Sequence, residues 1–408
     1  MNKYENYFLM KAEDTIDYIK EKVDFFEEGA NLEAKEIGDG NLNYVFKVKD
    51  VDSGKSIIIK QAGEVTRISE DMKLSVDRGR IEASVLTLQG SLAPGIVPKV
   101  YLYDDIMCTI IMEDMVDHEM MRPFLMNFKT YENFAEDTST FLANTLISTS
   151  DIVMNHKEKK ELVRDYINPD LCEISEDLVY TEPFNDMNNR NNVFPPIKDF
   201  VEKELYSDEK LHLEVAKLKF DFMNNAQSLI HGDLHTGSVF INKEHMYIFD
   251  PEFAFYGPMG YDIGNVIANM FFAWCHADAV LEDTDERKEP FKTWVITQIK
   301  DLVDLFIEKY NKIYDEKVTD EMAKVPGFKE YYLSTILADT AGVAGLESIR
   351  RIVGMANVID ITSIEDEAKR ARAEKIVITL GKKYILDRHN FKSGQDYVDA
   401  INEVVNQF

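Results

Sequence analysis

His231-Gly232-Asp233-Leu234-His235-Thr236-Gly237-Ser238, followed downstream by Asp250-Pro251-Glu252, is the stretch that decides how this chain reads. Leu229-Ile230 lead into it, Val239-Phe240-Ile241 leave it, and Met246-Tyr247-Ile248-Phe249 end on Asp250. These short apolar runs predict two strands joined by a turn at Asn242-Lys243-Glu244-His245. A hairpin returns the end of its second strand beside the start of its first, so Asp233 and Asp250 are expected to face one cleft. A loop carboxylate with a second acidic pair nearby is what phosphoryl transfer requires. One group takes the proton of an acceptor hydroxyl, and the others hold a divalent cation against nucleotide phosphates. On this reading Asp233 is the base, and Asp250 with Glu252 holds Mg2+.

The N-terminal third has a different texture. Ile16, Ile19, Val23 and Phe26 recur at helical spacing, and Leu32 to Ile37 and Tyr44 to Val48 form a hairpin across Gly38-Asp39-Gly40-Asn41-Leu42-Asn43. The N–H groups of that turn could cover nucleotide phosphates. Gly, Asp and Asn are also favoured in any hairpin turn for their tolerance of positive φ, so a purely structural role stays open. Ser56 to Lys60 is the next strand, and Lys60 follows three isoleucines. A lysine there suits nucleotide phosphates if a glutamate from the next helix holds it. The helix read over Asp77 to Leu88, with Asp77 capping its start and Gly90 its end, offers Glu82, either as that partner or as a surface residue. Val97 to Tyr103 and Ile106 to Met112 form another hairpin ending at Glu113-Asp114-Met115, a strand end suited to an adenine edge. The division falls here: residues 1–113 form a nucleotide-binding lobe and residues 114–408 a catalytic and substrate-binding lobe. Beyond the boundary helical periodicity dominates, in Phe134 to Leu146, Phe200 to Leu229, Thr293 to Tyr314 and Tyr332 to Ile352. The fold class is α+β, with a β-rich N-terminal lobe and a mainly helical C-terminal lobe.

Composition bounds the partners. A chain of 408 residues, 45% hydrophobic, can bury a sizeable core, and a net charge of −28 argues against broad binding to nucleic acid or an anionic membrane. Three widely spaced cysteines suit a reducing compartment. Met1 to Asp14 lacks a basic stretch followed by an apolar core, so no signal peptide is expected. Val266 to Val280 is too short and too polar for a membrane span, so a buried helix is expected and the location reads as cytoplasmic.

The chain resembles the 5-methylthioribose kinase family, within the broader aminoglycoside-phosphotransferase and choline-kinase group that shares the protein-kinase-like two-lobed fold. The resemblance rests on Ile37 through Phe46, Ile59-Lys60-Gln61-Ala62, Met112-Glu113-Asp114, His231 through Ser238, Asp250 through Gly257, and Ile349-Arg350-Arg351. It implies ATP and Mg2+ as cofactors, phosphorylation of the C1 hydroxyl of 5-methylthioribose in methionine salvage, and a homodimer. On the nucleotide side it implies Asn43, Lys60, Glu82, Glu113, Asp114, Met115 and Asp250-Pro251-Glu252. Asp233 is then the base, and Arg350 a substrate contact. One of Arg350 and Arg351 neutralises charge growing on the transferred group.

Ser238 stands where a protein kinase carries its second metal-binding Asn, and a hydroxyl is a weaker ligand, so Glu252 is expected to take over part of that coordination. No long activation segment follows Asp250, which favours a small-molecule acceptor. Asp262 reads either as a brace for the loop backbone or as an ordinary helix N-cap. His231 reads as a packing residue, and His235 is left open. Two alternatives remain: a kinase of the same fold acting on choline, homoserine or an aminoglycoside, and a non-catalytic nucleotide-binding pseudokinase.

Overall fold

The computed structural model describes residues 3–37, 43–63 and 74–408. The turn from Gly38 to Leu42 lies outside the described residues, and Asn43 is the first residue after it. The chain divides into two compact units, Met1–His118 with Tyr247–Ala254, and Glu119–Met246 with Phe255–Phe408. The sequence division at 113/114 left Asp250-Pro251-Glu252 with the C-terminal part, whereas these residues pack with the first unit. One of their anchors is a ladder-like bond from Ile248 N to Ile96 O of 2.7 Å.

In the first unit β1 (Leu32–Glu36), β2 (Asn43–Asp50), β3 (Ser56–Ala62), β4 (Val100–Asp104) and β5 (Thr109–Glu113) form one antiparallel sheet in the order β1-β2-β3-β5-β4. Three consecutive isoleucines make β3 a strand that can be buried on both faces, and it takes the centre. Side chains alternate across the sheet. Ile57 and Ile59 therefore join Phe46, Val48 and Ile111 in a core closed by Tyr18 and Ile19 of α1 (Ala12–Lys22), while Lys60 emerges on the other face. Each fully buried isoleucine contributes roughly 1.5–3 kcal/mol. That other face meets α2 (Asp77–Leu92), which continues past Gly90; Asp77 lies inside its first turn, bound by Arg80 at 2.6 Å and 2.8 Å. Lysine on the third strand and glutamate on the following helix is the protein-kinase arrangement.

The second unit is mainly helical. The run Phe200 to Leu229 is not one helix. Asp208 accepts from Lys210 N and Leu211 N at 3.0 Å and so caps a new helix, Glu209–Asn224, while Leu229 falls in β7 (Ser228–Ile230), paired with Phe255–Gly257. A short apolar run cannot distinguish a strand from a continuing helix by periodicity alone. The buried helix Gly260–Val280 packs against Phe328–Val353 with almost no separation. A Cβ on Gly264 would lie 2.7 Å from both Ala344 N and Thr340 O, so only hydrogen fits there. Among the described residues no helix is long and apolar enough to cross a membrane.

This close crossing gives the first prediction. Gly264→Ala should overpack the helix pair and cost about 1–3 kcal/mol, seen as a lower thermal midpoint. A midpoint equal to the parent's would mean that the two helices separate without penalty.

Candidate active site

The first unit holds a knot of charges around Lys60. Its Nζ lies 2.8 Å from Glu82 Oε1 and also bonds Asp250, whose backbone sits at φ +67°. Glu252 Oε2 accepts from Asn43 Nδ2 at 2.9 Å, with Arg78 Nε at 3.6 Å; Arg78 Nη2 donates in turn to Asn43 Oδ1 at 3.1 Å. Burial works against the Lys60 charge, but Asp250, Glu82 and Glu252 outweigh it and raise its pKa above the ordinary lysine value. Burial and then Asp250 push Glu252 up, and burial pushes Glu82 up against the pull of Lys60.

Three carboxylates thus share two cationic side chains in a poorly solvated place. Glu82, Asp250 and Glu252 each offer an oxygen, all within 4.8 Å of one another. An all-oxygen, net-negative set fits a hard divalent cation. The sequence left Glu82 either as the Lys60 partner or as a surface residue; it is buried against Lys60 and also stands in this cluster. Arg78, missed in the sequence, lies four residues before Glu82 on α2, a spacing that places both on one helix face.

Glu113 ends β5, Asp114 and Met115 follow it, and the two carboxylates are occupied locally. Glu113 Oε2 accepts from Lys99 N at 3.0 Å, and Asp114 Oδ2 is 2.5 Å from both Lys47 Nζ and Ser56 Oγ.

In the second unit the loop carrying Asp233 is shaped from behind. Asp262, already inside the helix Gly260–Val280, accepts from His231 N at 2.7 Å and Gly232 N at 3.0 Å; it is a brace and not an N-cap. Burial pushes its carboxyl up to about 7 although both N–H bonds oppose that. Gly232 adopts φ +84°, which favours glycine, and the buried His231 ring lies 3.4 Å from Asp233 N.

Asp233 itself is surrounded by basic side chains. Arg350 Nη2 and Arg351 Nη2 lie 3.5 Å and 3.8 Å from its Oδ1, and His235 Nε2 lies 3.3 Å from its Oδ2. Burial alone would raise its pKa. His235, Arg351 and Arg350 override that and hold the carboxyl well below the usual range. Both arginines hang from one buried acceptor, Glu347, which bonds Arg350 Nε, lies 2.9 Å from Arg351 Nε and accepts from Asn269 Nδ2 at 3.0 Å. Burial would raise Glu347, but Arg350 and then Arg351 bring it down to about 2. Its spacing of three and four residues before the arginines was a readable signal. His235 was left without a role and proves to face Asp233. Ser238 Oγ donates to the Asp233 main-chain carbonyl at 2.9 Å, so only its lone pairs remain to offer a cation.

Glu347 carries a pH dependence. Its carboxyl is near 2 when folded and 4.5 ordinarily, so its stabilisation is complete above pH 4.5 and is lost as pH falls toward 2. The amount is roughly 3 kcal/mol. Urea unfolding of the parent should therefore weaken more steeply from pH 5 to 3 than that of Glu347→Gln. Equal slopes would show that the arginines do not hold this carboxylate down.

Residues 191–291 match a family model described as a phosphotransferase enzyme family, a span that includes His231 through Ser238 and Asp250 through Glu252. The chain is 39% identical to the methylthioribose kinase of Geobacillus sp. (strain WCH70) over 381 residues, 92% of this chain and 91% of that one. It is 35% identical to the methylthioribose kinase of Enterobacter sp. (strain 638) over 398 residues, 97% of this chain and 99% of that one. With the methylthioribose kinase of Bacillus pumilus (strain SAFR-032) identity is 35% over 387 residues, 95% of each chain. Similarity at this level along nearly the whole length has one reading: the chain belongs to the methylthioribose kinase family.

Proposed function

We propose that this kinase transfers the γ-phosphoryl group of ATP to the C1 hydroxyl of 5-methylthioribose, with Mg2+ as its divalent cation, in the cytoplasmic salvage of methionine. The observation that carries the chemistry is Asp233 flanked by Arg350, Arg351 and His235. As the C1 oxygen bonds to the γ-phosphorus, the bond from that phosphorus to the β-phosphate oxygen breaks, and the hydroxyl proton passes to the Asp233 carboxylate; ADP leaves. A carboxylate held this far down is a weak base. It first orients the hydroxyl as an acceptor and takes the proton only as O–P bonding makes that proton acidic. Arg350 and Arg351 offset the charge on the transferred group, a contribution that grows in a poorly solvated place.

On the donor side Lys60, oriented by Glu82, binds the ATP phosphates, Asn43 and Pro251 line the nucleotide, and the backbone of Glu113 to Met115 meets adenine. Asp250 and Glu252, with Glu82 beside them, would hold Mg2+. Bound there, the ion neutralises phosphate charge. An uncharged acceptor is favoured over choline or an aminoglycoside because two guanidiniums within 4 Å of the base repel a cationic substrate.

Phosphorus NMR of the purified chain with ATP, Mg2+ and 5-methylthioribose, run beside choline, homoserine and an aminoglycoside, tests the substrate. A C1-phosphate signal with the thiosugar alone is expected, and product from another acceptor instead would overturn the substrate assignment. Asp233→Asn should keep ATP affinity and lose about 10²–10⁴ in turnover. Unchanged turnover would remove Asp233 from the chemistry. Asp250→Ala should abolish Mg2+-dependent nucleotide binding, and retained binding would move the cation elsewhere.

A further inference from the structure

Arg122, at the start of the helix Met121–Met126, is tied to the loop carrying Asp233 at two points. Its main-chain N donates to Thr236 O at 3.0 Å and its Nε to Thr236 Oγ1 at 3.1 Å. Its Nη2 donates to Asn269 Oδ1 at 3.3 Å, and the carboxylate of the fully buried Asp360 lies 3.7 Å from its Nε. Asn269 is 1% exposed and lies in the middle of the helix Gly260–Val280, a costly place for an amide unless it is fully bonded. Its Nδ2 donates to Asn265 O and to Glu347 Oε1, both at 3.0 Å. Only an amide with oxygen toward the guanidinium and nitrogen toward the carboxylate satisfies both neighbours; Asp would repel Glu347 and an apolar residue would bond neither.

We propose that Asn269 is a positioning residue that couples the arginine pair to the catalytic loop, through the relay Thr236–Arg122–Asn269–Glu347–Arg350/Arg351. The relay rests on the phosphotransfer reading of Asp233. Two guanidiniums side by side repel each other and have many rotamers, so their convergence on one oxygen of Asp233 needs a fixed counter-charge. Glu347 supplies the charge, Asn269 fixes the rotation of its carboxylate, and Arg122 fixes Asn269 relative to the loop. The three residues touch no reacting atom.

Two readouts on the full chain test this. The first needs no substrate: the Nε–H NMR signals of Arg350 and Arg351, assigned by Arg350→Lys and Arg351→Lys, should be narrow and exchange-protected in the parent. They should broaden in Asn269→Ala while the main-chain amides of His231 and Gly232 keep their shifts. The second is a double-mutant cycle. Asn269→Ala should lower kcat by about tenfold at unchanged KM for ATP, and the loss should largely vanish in the Arg351→Ala background. Unperturbed arginine signals, additive losses or a raised KM for ATP would each overturn the relay. If Asn269→Ala fails to fold, Thr236→Val, which removes the bond from Arg122 Nε and the 3.5 Å bond to Asn269 Oδ1 at the loop end, is read in the same way. If the parent turned over no acceptor, the substrate assignment would fail while the arginine signals would still decide the positioning role.

Discussion

A carboxylate with 1% exposure, Glu347, sits between two guanidiniums, and most of the second unit's chemistry depends on it. Taking such a charge out of water costs several kcal/mol, and the cost is offset only when both carboxylate oxygens find good donors. Glu347 meets that condition with Arg350, Arg351 and Asn269. The requirement reaches outward through the backbone. Asn269 arrives on one helix and Glu347 on another, so the two must run nearly in contact, and Gly264 makes that possible by leaving no Cβ between them. The same helix carries Asp262 two residues before Gly264, so one close crossing both hangs the arginines and braces the loop that carries Asp233.

The two units solve opposite electrostatic problems. Around Asp233 the near charges balance: Arg122, Arg350 and Arg351 face Asp233, Glu347 and Asp360. Around Lys60 they do not, because Glu82, Asp250 and Glu252 exceed Lys60 and Arg78. The first arrangement holds the Asp233 and Glu347 carboxyls below their ordinary values. In the unbalanced one, burial together with the neighbouring carboxylates pushes Glu82 and Glu252 up toward protonation. Kinase chemistry in general calls for both kinds of charge arrangement, a fixed anion and a place where a divalent cation can offset phosphate charge.

What could be read in the sequence was what local pattern encodes. Ser56-Ile57-Ile58-Ile59-Lys60 reads as a strand whose lysine follows three apolar residues, and the structure places it at the sheet centre. Asp233, Asp250 and Glu252 stood out because Gly and Pro punctuate short apolar runs around them. The helix and strand limits near Leu229 were not readable, since three apolar residues fit either period. Long-range partners were the true gap. Arg122 and Asn269 carry no local mark, because their bonds join residues over a hundred positions apart, to Thr236 and Asn269 in one case, and 78 apart, to Glu347, in the other. Glu347 and Arg78 occupy an intermediate class, detectable from helical spacing once Arg350 and Glu82 were singled out.

The acidity of the chain does not contradict its use of an anionic nucleotide. A net charge of −28 is spread over a large surface, and at physiological ionic strength an exposed charge is screened beyond roughly 8 Å. Lys60, Arg78, Arg350 and Arg351 are side chains with at most 11% exposure, where screening by salt is weak and each charge acts at close range. A few buried cations can therefore meet an anionic ligand at close range, while the acidic exterior acts mainly on solubility.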